Sequence, residues 1–286
     1  MKRAFSLALV LLMISLVLFS SISCGSEKVK YIDIALTDEQ YAFAVNKENT
    51  SLLETVNAVL DTITEDGTLE SIVQKYFSGN EEQYKQVSSG IEDENKNQLI
   101  VATSIPFKPF EFSKYETGKG KLYRGIDIEI ATYIASELDA ELVIKEMAFS
   151  EVLDAVESGE ADIAMSGISI NEERKQQVAF SNTYYEASQI LIARTNDNAF
   201  DGCRTRENVE DVLRSFDSSV IIGYQAETTS GLYLSGSQTP RSAGFNVTPK
   251  EYDTTLHAVQ ALINGEINYV IADEGSAKII VSDFNR

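Results

Sequence analysis

The chain has 286 residues, 24 Lys and Arg against 44 Asp and Glu, and a net charge of −20 with a pI near 4.4. That length predicts about two domains with cores of their own, and the 43% hydrophobic content excludes a disordered chain. Phosphate repels so acidic a chain where no basic block interrupts it, which excludes nucleic acid as a partner, and two cysteines with one histidine exclude a disulfide scaffold and a Cys/His metal site.

The first predicted element is a targeting segment. Met1-Lys2-Arg3 is positive, residues 4–19 form an uncharged apolar run, and small residues follow as far as Ser23. This is the layout of an export signal, and the run is shorter than the ~20 residues of a spanning helix, so residues 1–23 are set aside from the fold. Residues 30–36 alternate as a strand, 37–40 break it, and 41–45 form a second strand. Leu52, Val56, Val59, Leu60 and Ile63 then fall at helical spacing, Gly67 ends that helix, and Leu69, Ile72, Val73, Tyr76 and Phe77 form another. Residues 78–98 are polar, with almost no core residues, and form the linker. Beyond it come a strand at 99–102, a helix at 126–138, a strand at 140–147, a helix at 149–157 and a strand at 161–165. A second set follows: a strand at 220–223, helices at 228–234 and 254–264, and a strand at 267–272. Strands alternating with helices predict parallel α/β sheets, in two units joined near 189–196.

Cys24, after Ser21-Ile22-Ser23, resembles the lipobox cysteine of bacterial lipoproteins, with Ser21 where Leu is usual. The resemblance implies that Cys24 is lipidated and becomes the mature N-terminus, tethering an exported protein at the cell envelope, in the periplasm or on the outer face of the membrane. The other readings are an ordinary signal peptide with a free Cys24, or an uncleaved anchor. Cys203 is then a buried or unpaired thiol.

Three further motifs stand in a familiar order. They are Gly125-Ile126-Asp127-Ile128-Glu129-Ile130 with Ile134-Ala135 and Leu138; Ser166-Gly167-Ile168-Ser169-Ile170-Asn171-Glu172-Glu173-Arg174 with Val178-Ala179-Phe180-Ser181 and Tyr184-Tyr185; and Tyr269-Val270-Ile271-Ala272-Asp273 after Gly265. Across 99–273 they resemble the bacterial extracellular solute-binding proteins of family 3, the amino-acid-binding components of ABC importers. The resemblance implies a two-lobed, periplasmic-binding-protein-like (type II) α/β fold with two crossing hinge strands. Such a protein closes on one free L-amino acid and presents it to a membrane permease, as a monomer, with no cofactor and no metal. In that family a returning strand and two closing helices follow the late Asp motif. Here 34–45 and 52–77, with Asp66-Gly67-Thr68, resemble those pieces but precede the linker, so the chain reads as circularly permuted, its old ends joined through 78–98. A duplicated fragment with a truncated C-terminus is the alternative. The permuted reading sets one lobe at 40–194, including the linker, and the other at 195–286 plus 29–39, with crossings near 38–42 and 192–196.

An amino-acid cleft needs an anion hole, a buried acid and side-chain walls. Arg174 has the planar fork that binds a carboxylate bidentately, and the resemblance places it on the ligand carboxylate, with Ser169 and Gly167 supplying further hydrogen bonds and Ser166 in the same turn. It assigns Asp273 the ligand ammonium group, against the alternative of a helix cap. Gln225, Thr228 and Thr229 resemble the second lobe's anion-contacting turn, against simple N-capping, and the resemblance implies that Phe107 and Phe149 cover the ligand side chain, with Phe110 and Phe112 left to the core. Ser104 stands where members binding cationic side chains carry an acid, which argues against arginine or lysine. Glu227 replaces a common Gly and is expected to point outward. The competing functions are a sensory or adhesive lipoprotein using the same cleft, and a cyclohexadienyl-dehydratase-like enzyme; the amino-acid reading involves no catalysis.

Overall fold

Leu52, Val56, Val59, Leu60 and Ile63 put one apolar face on a helix, and that face must be covered. In the computed structural model, which describes residues 28–236 and 244–286, all five are buried in the larger of the hydrophobic cores, each such burial contributing about 1.5–3 kcal/mol. Residues 1–23 and Cys24 lie outside the described residues. No helix among the described residues is long and apolar enough to cross a membrane.

In chain order the strands are β1 (Val29–Ile32), β2 (Glu39–Tyr41), β3 (Ala44–Val45), β4 (Gln98–Thr103), β5 (Phe112–Glu116), β6 (Gly120–Arg124), β7 (Glu141–Glu146), β8 (Ile163–Ala164), β9 (Ala179–Phe180), β10 (Tyr185–Ala187), β11 (Gln189–Arg194), β12 (Ile221–Gln225), β13 (Thr248–Tyr252) and β14 (Tyr269–Asp273). The helices are α1 (Thr50–Glu65), α2 (Thr68–Phe77), α3 (Ile126–Glu137), α4 (Val152–Ser158), α5 (Arg174–Gln177), α6 (Arg206–Ser215), α7 (Thr229–Ser235), α8 (Thr255–Ile263) and α9 (Glu274–Asn285).

Two five-stranded sheets make two lobes. Lobe 1 has the order β7-β4-β8-β3-β9, and lobe 2 the order β1-β11-β14-β12-β13. The parallel strand β4, with Leu99, Val101 and Ala102 buried, pairs with both β7 and β8. Helices α1 and α2 pack on α3 to cover lobe 1. Between the sheets runs a two-stranded antiparallel ladder of β2 and β10, with Tyr41 opposite Tyr185 and Glu39 opposite Ala187. These are the crossing strands. The expected second crossing near 192–196 is therefore corrected to 185–187. Residues 189–194 form β11, which pairs with β1 and β14 inside lobe 2, because its all-apolar centre from Ile190 to Ala193 needs cover on both faces.

Other differences have local causes. The single strand expected at 41–45 is split: Glu39–Tyr41 lies in the crossing ladder and Ala44–Val45 in the lobe 1 sheet, so the chain changes sheets within three residues. The polar linker is laid down on lobe 1, where Val87 is buried and exchanges backbone bonds of 2.9 and 2.8 Å with Tyr123. The hairpin β5–β6 went unpredicted, since Lys114, Tyr115 and Lys121 leave it little apolar alternation. The two ends of the described chain meet on lobe 2. Lys28 and Val29 donate backbone N–H groups to Asn285 Oδ1 at 2.8 and 3.3 Å, and Asn285 Nδ2 donates to the Val29 carbonyl at 2.7 Å.

Candidate functional site

The turn after β8 is built around Gly167. Its φ of 53° is left-handed, and a Cβ there would meet Phe107 at 2.5 Å, so only glycine lets the chain pass the ring. Its N–H donates to Asp127 Oδ2 at 3.0 Å, and Tyr184 donates its hydroxyl to Asp127 Oδ1 at 2.7 Å. The same turn pairs with the crossing strand: Ala42 N–H donates to the Ile168 carbonyl and Ile170 N–H to the Gln40 carbonyl, at 3.1 and 3.0 Å. At its end, Asn171 Oδ1 accepts from the Arg174 N–H at 2.7 Å and opens the one-turn helix α5.

Between the lobes lies a cavity, and every residue named from the sequence as a ligand contact lines it. Ser104, Phe107, Phe149, Ser166, Gly167, Ser169 and Arg174 come from lobe 1, and Gln225, Thr228, Thr229 and Asp273 from lobe 2. Arg174 crosses the cleft. Its guanidinium donates to the Ser169 carbonyl and to the Glu227 carbonyl, each at 2.8 Å, and lies 5.4 Å from the centre of the Phe149 ring. Glu227 is exposed and has a left-handed φ of 59°, which accounts for the glycine common at this position.

Asp273 ends β14 and is buried. Its Oδ1 caps α9 by accepting from Ser276 N–H at 3.2 Å, which is the helix-cap alternative weighed for it, and the residue also lines the cavity. Tyr41, on the crossing strand, donates its hydroxyl to Oδ2. Burial pushes the Asp273 carboxyl up to about 7, and the bonds from Tyr41 and Ser276 only partly oppose this.

The sequence reading missed Tyr41, Glu111, Gln189, Ser230 and Thr255, which line the cavity together with Ala272. Glu111 is the most consequential. Fully buried, it accepts from Ser166 Oγ at 2.6 Å through Oε1, while Oε2 has no hydrogen-bond partner. Burial, with Asp127 nearby, holds its carboxyl well above the usual range, and burial brings Asp127 itself to about 7. The signal was an acid enclosed by Phe110 and Phe112, a setting that buries it. Along the rim a second groove is edged by Asp154, Glu173, Glu227 and Glu251. No group of His, Cys, Asp and Glu among the described residues is arranged to hold a metal ion.

The family model for bacterial extracellular solute-binding proteins, family 3, matches residues 99–279. An arginine-binding extracellular protein of Bacillus subtilis is 34% identical over 37% of this chain and 40% of its own length. An arginine-binding periplasmic protein of Mannheimia haemolytica is 28% identical over 62% of this chain and 63% of its own. The matched stretch thus spans less than two thirds of either relative. A solved amino acid ABC transporter substrate-binding protein of Streptococcus pneumoniae, bound to L-arginine, aligns with a TM-score of 0.53 and 31% identity, covering 64% of this chain and 70% of that one.

Proposed function

The chain belongs to the bacterial extracellular solute-binding proteins of family 3, and on that premise we propose that it closes around one free amino acid and hands it to an ABC permease. The observation that carries this is the pairing of Arg174 and Asp273 from opposite lobes on one cavity, a cation for the carboxylate and an acid for the ammonium. The lining residues named in the sequence are then the ligand contacts, and Cys24 is the lipid anchor that keeps the protein at the membrane.

We further infer that the ligand side chain ends in a cationic N–H donor. Position 104 lacks the acid that such ligands call for, and Glu111, with its unpartnered oxygen in the same wall, supplies one. Among the described residues Arg174 is the sole cation lining the cavity, against Glu111 and Asp273, and the acidic rim attracts cations toward the cleft. Two of the relatives are named for arginine binding.

Thermal unfolding with L-arginine, L-lysine, L-glutamine and L-glutamate tests both statements. Ligand at a hundred times its dissociation constant stabilises the folded form by about 2.7 kcal/mol and is expected to raise the midpoint by several degrees for arginine or lysine. Glu111→Gln is expected to weaken the cationic ligand at least tenfold and to leave glutamine unchanged. No shift with any amino acid sinks the binding reading; a shift confined to neutral or acidic ones sinks the cationic one. Recovering the ligand chemically unchanged from the denatured complex separates binding from a dehydratase-type elimination.

We propose too that the chain is circularly permuted. In support, 28–77 supplies a crossing strand, a lobe 1 strand and two covering helices from the start of the chain, and residue 28 bonds to Asn285. Joining residue 286 to 28 by a short Gly/Ser link and reopening the chain within 88–97 is expected to leave the midpoint within a few degrees and the affinity unchanged. Failure of the recut chain to fold overturns the permutation, since surface ends that lie together tolerate such exchange.

A further inference from the structure

Glu39 stands behind the cavity wall, on the crossing strand β2, and is buried. Its carboxylate gathers donors from both lobes. Ser169 Oγ of lobe 1 and Thr229 Oγ of lobe 2 both reach Oε2, at 2.5 and 2.8 Å. Thr37 Oγ reaches Oε1 at 2.8 Å, and Gln189 Nε2 lies 3.5 Å from Oε2. The surrounding network orients the Thr37 and Gln189 contacts. Thr37 Oγ already accepts from Gln189 N–H at 2.9 Å, and Gln189 Oε1 accepts from Ser230 Oγ at 2.6 Å. Thr37 Oγ, Ser169 Oγ and Thr229 Oγ are each the donor to this carboxyl group.

We propose that Glu39 is a positioning residue of the cleft: by taking the hydroxyl protons of Ser169 and Thr229 on one oxygen, it links the two lobes at their pivot and turns both hydroxyls toward the ligand as acceptors. This rests on the reading of the cavity as an amino-acid site. Its consequence differs from the role that the family resemblance assigns to Ser169. A hydroxyl whose proton is committed to Glu39 cannot also give it to the ligand carboxylate; it can only receive an N–H. The carboxylate is then left to Arg174 and backbone N–H groups, while Ser169 and Thr229 join Asp273 in selecting a ligand rich in N–H donors. Replacing Glu39 by an amide would release one hydroxyl proton toward the cavity and reverse that preference.

The experiment compares the wild-type protein with Glu39→Gln and Glu39→Asp. Calorimetry measures L-arginine and 5-guanidinopentanoate, the same molecule without its ammonium group. Glu39→Gln is expected to weaken L-arginine at least tenfold and to narrow the gap between the two ligands at least threefold, because a released hydroxyl now favours the carboxylate. Loss of stability alone would weaken both equally and leave the ratio unchanged. Glu39→Asp, which keeps the charge but shortens the reach, is expected to weaken binding while preserving the ratio. A second arm needs no ligand: spin labels on cysteines at Asp154 and Glu251, exposed on opposite rims, report the distance between lobes. Glu39→Gln is expected to shift that distribution to longer distances. An unchanged distribution together with an unchanged ligand ratio overturns the proposal. If the wild-type protein binds no amino acid, the cleft reading fails while the distance arm still decides whether Glu39 holds the lobes.

Discussion

Arg174→Ala is expected to weaken amino-acid binding by two to three orders of magnitude, because truncating one partner of a buried hydrogen-bonded charge pair costs about 2–5 kcal/mol and each 1.4 kcal/mol is tenfold. The fold is expected to survive. In the absence of ligand the guanidinium serves the carbonyls of Ser169 and Glu227, and Glu227 is exposed, so water can replace that bond. Arg174→Lys separates charge from shape: it keeps the cation but loses the fork that meets two carboxylate oxygens at once, and an intermediate loss is expected. Calorimetry on the three proteins, with the unfolding midpoint as control, is the measurement. Affinities within threefold of one another would remove Arg174 from the ligand carboxylate.

Asp273→Asn is expected to act in opposite directions on binding and on stability. Its carboxyl is pushed up to about 7, chiefly by burial, and Glu39 adds to the effect. Between the ordinary carboxylate range and pH 7, the folded protein therefore holds this proton more tightly than the unfolded chain does. The contribution to stability is fully present at low pH and is lost as pH rises toward 7, by about 1.4 kcal/mol for each unit in that window. Asn cannot ionise, and its side-chain oxygen can still accept from Tyr41 or Ser276. The ligand-free variant is accordingly expected to unfold several degrees above the wild type at pH 8, with the difference vanishing near pH 4. Binding moves the other way, since a neutral amide gives no charge to an ammonium group, and a loss of at least a hundredfold is expected. In the wild type, affinity should fall about tenfold for each pH unit below 7, as the carboxyl takes up its proton. A variant less stable than the wild type at pH 8 would contradict the burial argument; one that keeps its affinity would remove Asp273 from the ammonium.

The two effects expected at Asp273 describe an acid kept in a costly place. Asp127 is also brought to about 7 and Glu111 is held well above the usual carboxylate range, so three carboxyls on or behind one cavity lose solvation that only a hydrogen-bond donor or a cation restores. Stability given up around a cleft in this way is the usual accompaniment of function.

Much of the lining was legible because it falls in the motifs that carry the family resemblance, and those motifs are locally folded. The Ser166–Arg174 turn, the strand ending in Asp273 and the Thr228-Thr229 step are short segments whose glycine, caps and apolar runs announce their own conformation, and each delivers its side chains to the cavity. The lobes were legible for a similar reason, since alternating strands and helices admit few arrangements. By itself, then, the sequence determined the α/β class, the order of the elements and the polar groups that its turns present.

Tertiary structure alone decided the rest. Tyr41 and Glu39 stand more than a hundred residues from Asp273, Ser169 and Thr229 in the chain, and nothing local announces that β2 will lie against them; pairing with β10 puts them there. The crossing point was misplaced because an apolar strand such as 189–194 has the same composition whether it links two sheets or lies within one. Hydrogen-bond partners, which sequence spacing does not encode, place it in lobe 2. The empty oxygen of Glu111 and the direction in which Ser169 gives its proton belong to the same class, for both depend on which distant groups surround a side chain after the lobes come together.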